Sequence, residues 1–397
     1  MHYIRFLRAP EVEQGESRSS LKLVLTVTTD LGDAYLAPHN PIELAVIGAY
    51  TERKDGVDRL TPINLSLGCT LRWRAGMRVL KFEVPLPAQQ PVETIQVRPA
   101  SRELTALSTT DIISGGQGWI MAAYADIQHR QSDTHPASVC FRSLRLPTPP
   151  TGAGSRFEAM QLEEDIGMSI ARRIWDGGIA AMSFVAAICS DNIPQESSTT
   201  ALPTLRTILR GQQQRPLNIL ELGCGIGTLG IGMARILSLM GRERATTNIL
   251  MTDVPEAEAR ARANMARQSD ALREGPATLD FEPLNWEDGQ HGIFGEKVRS
   301  CAWDLIMLSD CTYNTDTLQP LVKTLTALHS QGLQGCHAES SVVAKVLLAT
   351  KPRHSSESIA FDLMAADGWV VREKTVLPLP VLDGEGQSVE VYLLEKE

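Results

Sequence analysis

The stretch Leu217-Asn-Ile-Leu-Glu-Leu-Gly-Cys-Gly-Ile-Gly-Thr-Leu-Gly230 decides the fold, because an apolar run passes directly into a glycine-rich turn. Residues 218–222 have the length and bulk of a buried parallel strand. Gly223, Gly225 and Gly227 lack the Cβ atoms that would keep a ligand away from the backbone, and they permit positive φ where the chain reverses. The stretch therefore predicts a strand, a turn and a helix that together form a nucleotide-cofactor site.

Two classes of cofactor use such a turn. Gly225-Ile-Gly-Thr-Leu-Gly230 matches the dinucleotide pattern G-x-G-x-x-G, in which a pyrophosphate lies at the helix N-terminus. Glu221 favours the other class, because a carboxylate two residues before the first glycine would repel a pyrophosphate but can bind the α-amino group of S-adenosylmethionine. We therefore expect S-adenosylmethionine as the cofactor, with a dinucleotide-dependent dehydrogenase as the remote alternative.

A second acid follows the next predicted strand, residues 247–253. Asp253 ends that strand and is placed to bind the ribose hydroxyls, a role found in both cofactor classes. The alternative is that it caps the helix expected from Pro255.

Two tryptophans are candidate walls of the cofactor site. Residues 162–188 predict a helix broken at Trp175-Asp-Gly-Gly178, because two adjacent glycines would destabilise a helix interior by about 2 kcal/mol. The break would let the backbone approach the cofactor beside Trp175. Trp286 lies in a loop after a predicted third strand, residues 278–281, and can stack on the adenine ring. Each tryptophan could instead be a core residue.

The segment Ser309-Asp-Cys-Thr-Tyr313 follows the predicted fourth strand, which begins near Trp303. Ligands of open α/β sheets bind at this end of the strands, so we expect the chemistry here. Asp310 and Tyr313 are three residues apart in a turn and could both face the transferred methyl group, one as an acceptor and the other with an aromatic face and a hydroxyl.

The C-terminus helps to define the sheet. Residues 368–376 and 388–395 predict two strands joined through the turn-rich residues 382–386. Added to an alternating strand and helix core over residues 217–350, this hairpin would put one antiparallel strand into an otherwise parallel sheet. The predicted fold class is α/β, with the Rossmann-like seven-stranded sheet of class I methyltransferases.

The 397 residues exceed one ordinary domain, and 43% of them are hydrophobic. Residues 1–146 predict a β-rich domain, sandwich or barrel-like, with a structural or substrate-recruiting role; residues 100–118 could carry a helical turn. A proline and glycine-rich linker is expected at residues 147–156, followed by the methyltransferase domain at 157–397. The predicted strands of the β-rich domain cover residues 21–27, 42–47, 70–74, 79–84, 94–98, 119–124 and 139–146.

Composition limits the compartment and the partners. Seven cysteines without a Cys-x-x-Cys pair argue against disulfides or zinc and favour a reducing compartment. No signal-peptide core and no run of eighteen apolar residues is present, so we expect a cytoplasmic protein, with the nucleus also open, and no membrane partner. A net charge of −9 without a basic stripe argues against a direct nucleic-acid substrate.

The isolated histidines predict no metal site.

Taken together, these pieces resemble the seven-β-strand protein-lysine methyltransferases of methyltransferase family 16, most closely the fungal members that methylate translation elongation factors. The resemblance covers about residues 160–397. The motifs that carry it are Ile174-Trp-Asp-Gly-Gly178, Leu220-Glu-Leu-Gly-Cys-Gly-Ile-Gly227, Thr252-Asp-Val-Pro255, Asn285-Trp286 and Asp310-Cys-Thr-Tyr313.

The resemblance implies direct methyl transfer from S-adenosylmethionine to a lysine ε-amino group of a protein substrate. It implies Asp310 and Tyr313 as the catalytic pair beside the substrate lysine. The insertions at residues 192–216 and 330–341 depart from the smallest members of the family and leave the substrate open. The implied cofactor contacts are Trp175, Glu221, Gly223, Cys224, Gly225, Asp253, Trp286 and Ser309.

Other functions stay open at this point. The same scaffold serves small-molecule and arginine methyltransferases, because fold alone does not set the acceptor. A cofactor-binding scaffold protein without catalysis is a further alternative. The chain has neither the Asn/Asp-Pro-Pro-aromatic sequence nor the Pro-Cys nucleophile expected of base methylases, which lowers the rank of nucleic-acid modification.

Overall fold

A computed structural model describes residues 1–15, 18–54, 57–88, 90–127, 139–148, 158–167, 171–190, 202–211, 215–240, 246–273, 275–334, 343–354 and 357–397. The chain divides into two compact units. The first unit comprises Met1–Leu144, Gln161–Arg173 and Pro380–Gly386, and the second comprises Arg145–Met160, Ile174–Leu379 and Gln387–Glu397. The predicted linker at residues 147–156 lies almost wholly outside the described residues, so that boundary stays a prediction. Within the described ranges, no helix is long and apolar enough to cross a membrane.

The N-terminal part of the chain is built almost entirely of strands, as predicted. A single short helix in the described part of this region falls within residues 100–118, where the sequence allowed a helical turn. The elements are β1 (His2–Phe6), β2 (Glu11–Gln14), β3 (Ser19–Thr28), β4 (Ile42–Lys54), β5 (Val57–Asn64), β6 (Leu71–Trp73), β7 (Leu80–Pro85), β8 (Thr94–Pro99), β9 (Thr105–Ala106), α1 (Thr109–Ile113), β10 (Ile120–Met121), β11 (Ala123–Asp126), β12 (Val139–Leu146) and β13 (Glu158–Asp165).

These strands form two sheets. One has the order β2-β3-β1-β10-β9 with β7 paired to β3, and the other has the order β13-β12-β11-β8-β4-β5 with β6 paired to β4. A single hydrophobic core takes side chains from both sheets, including Leu23 of β3 and Val46 of β4, which is the arrangement of a sandwich rather than a barrel. The sequence missed β5, an edge strand that is polar and contains Pro62.

Strand β13 is a correction, because residues 162–188 were expected to begin a helix. Met160, Leu162 and Glu164 alternate with less buried residues and face the interior. Glu164 is buried there because it accepts hydrogen bonds from Nε of Arg142 at 2.9 Å and from Nη1 of Arg5 at 3.3 Å. Ala, Met, Gln, Leu and Glu all favour helices, so only this tertiary ion pair reveals the strand.

The second unit alternates helices and strands. Its elements, in chain order, are α2 (Asp176–Cys189), α3 (Pro203–Arg210), β14 (Leu217–Leu222), α4 (Thr228–Leu239), β15 (Thr247–Asp253), α5 (Pro255–Arg267), α6 (Ser269–Leu272), β16 (Ala277–Pro283), α7 (Trp286–Gly289), α8 (Glu296–Arg299), β17 (Leu305–Ser309), α9 (Thr315–Gln334), β18 (Lys345–Thr350), α10 (Ser358–Ala366), β19 (Trp369–Leu379) and β20 (Gln387–Lys396).

The seven strands of this unit form one sheet with the order β16-β15-β14-β17-β18-β20-β19. β14 pairs in parallel with β15 and β17, while β20 runs antiparallel to both β18 and β19. The sheet therefore contains one antiparallel strand, as the C-terminal hairpin predicted, and the fold class is confirmed. The carboxyl ends of β14, β15 and β17 meet at one edge, where ligands of such sheets bind.

Replacing Glu164 by leucine should destabilise the first unit. The change leaves the buried guanidinium of Arg142 without its carboxylate partner, a loss of about 3–5 kcal/mol for a buried pair. We expect a clear fall in the unfolding midpoint measured by calorimetry. Glu163→Leu, on the less buried face of the same strand, is the matched control; an equal fall there would contradict the role given to the ion pair.

Candidate active site

The glycine turn between β14 and α4 has the conformation that the sequence predicted. Gly223, Gly225 and Gly227 have φ of +68°, +55° and +88°. A Cβ atom at Gly223 would lie 2.7 Å from Sγ of Cys311 and 3.1 Å from the ring of Trp286, so a side chain cannot be accommodated there. The missing Cβ at Gly223 thus lets Cys311 and Trp286 pack directly against the turn.

Asp253, at the end of β15, fixes this turn. Its Oδ2 accepts a hydrogen bond from the Gly225 amide at 2.7 Å, and its Oδ1 accepts one from Val254 at 2.7 Å. Burial raises the pKa of Asp253, and the two amides partly offset that effect. A carboxylate has about four lone-pair positions, so Asp253 keeps acceptor capacity for ligand hydroxyls beside the turn.

Glu221 lies beneath the turn rather than on its surface. The side chain is fully buried, Oε2 accepts a hydrogen bond from the Gly230 amide at 3.0 Å, and Oε1 has no hydrogen-bond partner. Burial raises the pKa of Glu221 to about 8. A buried carboxyl group with an unsatisfied oxygen lowers stability, so its presence next to the turn points to a functional requirement.

Asp310 is the central polar residue at the carboxyl end of β17. Its carboxylate accepts hydrogen bonds from the Gly177 amide at 2.6 Å, from the Lys351 amide at 3.3 Å and from Nη1 of Arg353 at 2.9 Å. The residue is buried and has φ of +51°, a left-handed conformation that Asp tolerates better than most residues. Asp310 therefore joins the start of α2 to the segment after β18.

The start of α2 differs from the prediction, which placed Trp175-Asp-Gly-Gly178 as a break inside a helix. The helix begins at Asp176, and Trp175 is its N-cap residue without a side-chain capping hydrogen bond. The glycine pair thus lies in the first turn, where amide groups have no partner within the helix. Asp310 supplies the missing acceptor for Gly177, and Gly178 packs near Ser309, since a Cβ atom there would lie 3.4 Å from the Ser309 hydroxyl.

Three charged residues of this site were missed by the sequence reasoning. Nζ of Lys351 contacts the fully buried carboxylate of Asp176 at 2.7 Å, and the guanidinium of Arg353 lies 5.3 Å from the ring centre of Trp175. Lys351 and Arg353 follow β18, and ligands of open α/β sheets bind at this end of the strands. Charged residues at the end of a parallel strand could therefore have marked these two as site residues. Their partners come from distant segments and could not be read from spacing.

Tyr313 differs from the other predicted site residues because 58% of its surface is exposed. Partial burial raises the pKa of its hydroxyl, so the phenol stays neutral near pH 7. The intervening Cys311 is buried, and its thiol lies 3.4 Å from the Leu222 carbonyl. The segment after β17 therefore places Asp310 inside the unit and Tyr313 on its surface.

The residues present fit a nucleotide-type cofactor. Asp253 accepts a hydrogen bond from the glycine turn, Trp286 packs against the turn, and the nearby Glu221 has an unsatisfied carboxyl oxygen. The structure thus brings Gly223, Cys224, Gly225, Asp253 and Trp286 together. Trp175, Ser309 and Asp310 form a second group around the start of α2. In the described part of the chain, no cluster of three or more His, Cys, Asp or Glu could hold a metal ion.

Strand order and the glycine turn define a class I methyltransferase. Residues 156–367, more than half of the chain, match the family described as lysine methyltransferase, and the chain belongs to that family. As a member, it uses S-adenosylmethionine as its methyl donor. The chain is also similar to the UPF0665 family protein C23C4.06c of Schizosaccharomyces pombe, with 22% identity over 100% of this chain and 99% of that protein.

Two solved structures match the chain at low similarity. An S-adenosylmethionine-dependent methyltransferase from Methanosarcina mazei has 12% identity and a TM-score of 0.32, and the match covers 48% of this chain and 96% of that one. The trans-methyltransferase CalH in complex with SAH has 9% identity and a TM-score of 0.33, with 56% and 67% coverage. At these scores, the fold assignment rests on the strand order and not on the superpositions.

Gly177 and Gly178 form a matched pair for testing the packing of α2. A Cβ atom at Gly177 would lie 2.6 Å from Cγ of Asp310, whereas one at Gly178 has no neighbour closer than 3.4 Å. Gly177→Ala should therefore lower the thermal unfolding midpoint of the second unit. Gly178→Ala should keep or raise it, because the added methyl group meets only ordinary packing contacts and alanine favours a helix over glycine by about 1 kcal/mol. Equal midpoints for the two variants would contradict the placement of Asp310.

Glu221→Gln should become increasingly stabilising as pH rises. Between pH 4.5 and about 8, Glu221 is protonated in the folded chain and ionised in the unfolded one, so stability falls as pH rises. The wild type should lose about 1.4 kcal/mol per pH unit from this group in that window, and the glutamine variant should not. Scanning calorimetry at pH 5 and pH 8 without cofactor measures the difference, with the exposed Glu256→Gln as the control. A difference that is the same at both pH values would overturn the buried-carboxyl interpretation.

Proposed function

We propose that this chain transfers a methyl group from S-adenosylmethionine to the ε-amino group of a lysine in a protein substrate. The observation that carries the proposal is the position of Tyr313. It is the exposed member of the Asp-Cys-Thr-Tyr segment, which follows β17 and whose Cys311 contacts the end of β14 just before the glycine turn. A large acceptor can reach a surface tyrosine, whereas a small molecule has no need of one on the outside.

We assign the cofactor contacts in two groups. When bound, S-adenosylmethionine supplies an electrophilic methyl group on a sulfonium centre. The turn Gly223-Cys224-Gly225 would support the cofactor, Asp253 would accept hydrogen bonds from its ribose hydroxyls, and Trp286 would cover its adenine ring. The unpartnered carboxyl oxygen of Glu221 would be available to the cofactor's α-amino group, and Trp175 and Ser309 would contact its methionine part.

The ε-amino group of the substrate lysine must be neutral before methyl transfer, because a protonated lysine has no lone pair. The ordinary pKa of lysine is about 10.4, so most of it is protonated at neutral pH. Tyr313 can orient that nitrogen through its neutral hydroxyl or its ring. We assign Asp310 as a positioning residue, since its carboxylate is already hydrogen bonded to Gly177 and Arg353. A carboxylate there favours the cationic product more than it assists deprotonation.

The substrate is the finer part of the proposal. A net charge of −9 suits a basic protein surface around the target lysine. The resemblance to fungal enzymes makes a translation elongation factor the first candidate, and a cytoplasmic site of action follows from it. Neither the substrate nor the compartment depends on the geometry of the glycine turn.

The test is methyl labelling with tritiated S-adenosylmethionine in a lysate of cells that lack this protein. Wild-type protein should label a discrete band, and mass spectrometry should locate the methyl group on a lysine. Tyr313→Ala should reduce the initial rate about tenfold or more, because the acceptor loses its orientation. Its cofactor Kd, measured by calorimetry, should stay unchanged because Tyr313 belongs to the acceptor side.

Val376→Ala, which truncates another exposed side chain of the second unit, is the control and should label at the wild-type rate. Binding of the cofactor without any labelled protein would sink the protein-lysine assignment and favour a small-molecule acceptor or a scaffold role. Loss of cofactor affinity in Tyr313→Ala would move Tyr313 from the acceptor side to the cofactor side.

A further inference from the structure

The first unit contains a cavity of about 320 Å³ that is separate from the glycine turn. Its polar lining includes Arg5, Thr26, Thr28, Arg78, Glu164, Asp165 and Arg173. The volume is at the lower end of the range for ligand pockets and suits one side chain or a small ion.

Three residues of this lining each have a buried side-chain group without a hydrogen-bond partner. These groups are Nε of Arg5, Oγ1 of Thr26 and Oγ1 of Thr28. Arg5 on β1 stands directly opposite Thr26 on β3, and Thr28 follows two residues later on the same face of the strand. Each unsatisfied group lowers stability by about 1–3 kcal/mol, so three together indicate a ligand that accepts hydrogen bonds.

The cavity also carries a surplus of positive charge. Its lining has three guanidinium groups, Arg5, Arg78 and Arg173, and two carboxylates, Glu164 and Asp165. Glu164 is paired with Arg142, which lies outside the lining, and with Arg5 at 3.3 Å, while Asp165 accepts from Arg172, also outside the lining, at 3.1 Å. Counting these outer partners, the guanidinium groups outnumber the carboxylates. Burial and the carboxylate of Glu164 raise the pKa of Cys140 to about 12, so its thiol adds no negative charge.

Apolar side chains surround the mouth of the cavity. Leu7, Leu31, Tyr35 and Val79 line it, and each has more than 40% of its surface exposed. Scattered exposed apolar residues need no explanation, but four around one cationic pocket are typical of an interaction site. Such a rim suits a ligand in which an anionic group is flanked by apolar groups.

We propose that this cavity binds the carboxylate of an Asp or Glu side chain in a peptide segment whose neighbouring residues are apolar. The carboxylate accepts hydrogen bonds from Arg5, Thr26 and Thr28, which matches the number of unpartnered groups. A singly charged group fits better than a phosphate dianion, because Glu164 and Asp165 also line the cavity. The flanking side chains cover Leu7, Leu31, Tyr35 and Val79.

The experiment measures binding of two immobilised heptapeptide libraries to the full-length chain without cofactor. One library has a central Glu flanked by Leu, Ile, Phe, Tyr or Val, and the other has Gln in place of that Glu. Captured peptides are then measured by fluorescence anisotropy against wild type, Thr28→Val, Arg78→Gln and the control Arg74→Gln, whose position lies outside the lining. Because no cofactor is present, the result is independent of methyl transfer.

We expect the Glu peptides to bind at least tenfold more tightly than their Gln counterparts. Thr28→Val and Arg78→Gln should each weaken binding about tenfold, and Arg74→Gln should not. Thr28→Val should keep or raise the unfolding midpoint, since it removes a buried hydroxyl without a partner. Equal capture by the two libraries, or undiminished binding by Thr28→Val, would overturn the proposal. Full displacement of the peptide by free acetate or inorganic phosphate at millimolar concentration would also overturn the proposal. The cavity would then be a site for a small free anion.

Discussion

The carboxylate of Asp310 is the interaction on which the rest of the candidate site depends. It satisfies the Gly177 amide at the start of α2, the Lys351 amide after β18 and the guanidinium of Arg353. The start of α2 and the segment after β18 therefore meet the segment after β17 at one buried anion. The left-handed backbone at Asp310 and the missing Cβ at Gly177 are both consequences of this close approach. Cys311 and Thr312 stay buried after this anchor, and Tyr313 is the first residue of the segment to reach the surface.

Two further buried carboxyl groups differ in how far neighbouring groups compensate their charge. Glu164 in the first unit is compensated by two guanidinium groups, and this ion pair fixes the direction of β13. Glu221 in the second unit has one amide partner and one unsatisfied oxygen, so its pKa rises to about 8 instead. A compensated group supports the fold, whereas an uncompensated one lowers stability and is retained for function.

The strands of the second unit were largely predictable, because each buried parallel strand is a short apolar run that ends in a turn or an acid. β14, β15, β16 and the C-terminal hairpin were predicted to within a few residues. The helix expected from residue 162 was wrong at its start, and Trp175-Asp-Gly-Gly178 begins a helix instead of interrupting one. In both places the deciding partner, Arg142 or Asp310, lies far away in the sequence. Local propensity cannot report such a partner.

The sequence by itself determined the class of the second unit and its cofactor turn, because glycine spacing, apolar runs and a terminal acid are local properties. Asp253, Trp286 and the turn from Gly223 to Gly225 do lie together, since parallel strands bring their carboxyl ends to one edge. Only the tertiary structure decided that Asp310 is buried and Tyr313 exposed, and that Asp176, Lys351 and Arg353 belong to the site. Burial and charge pairing arise from segments that meet only after folding, so no pattern along the chain could reveal them.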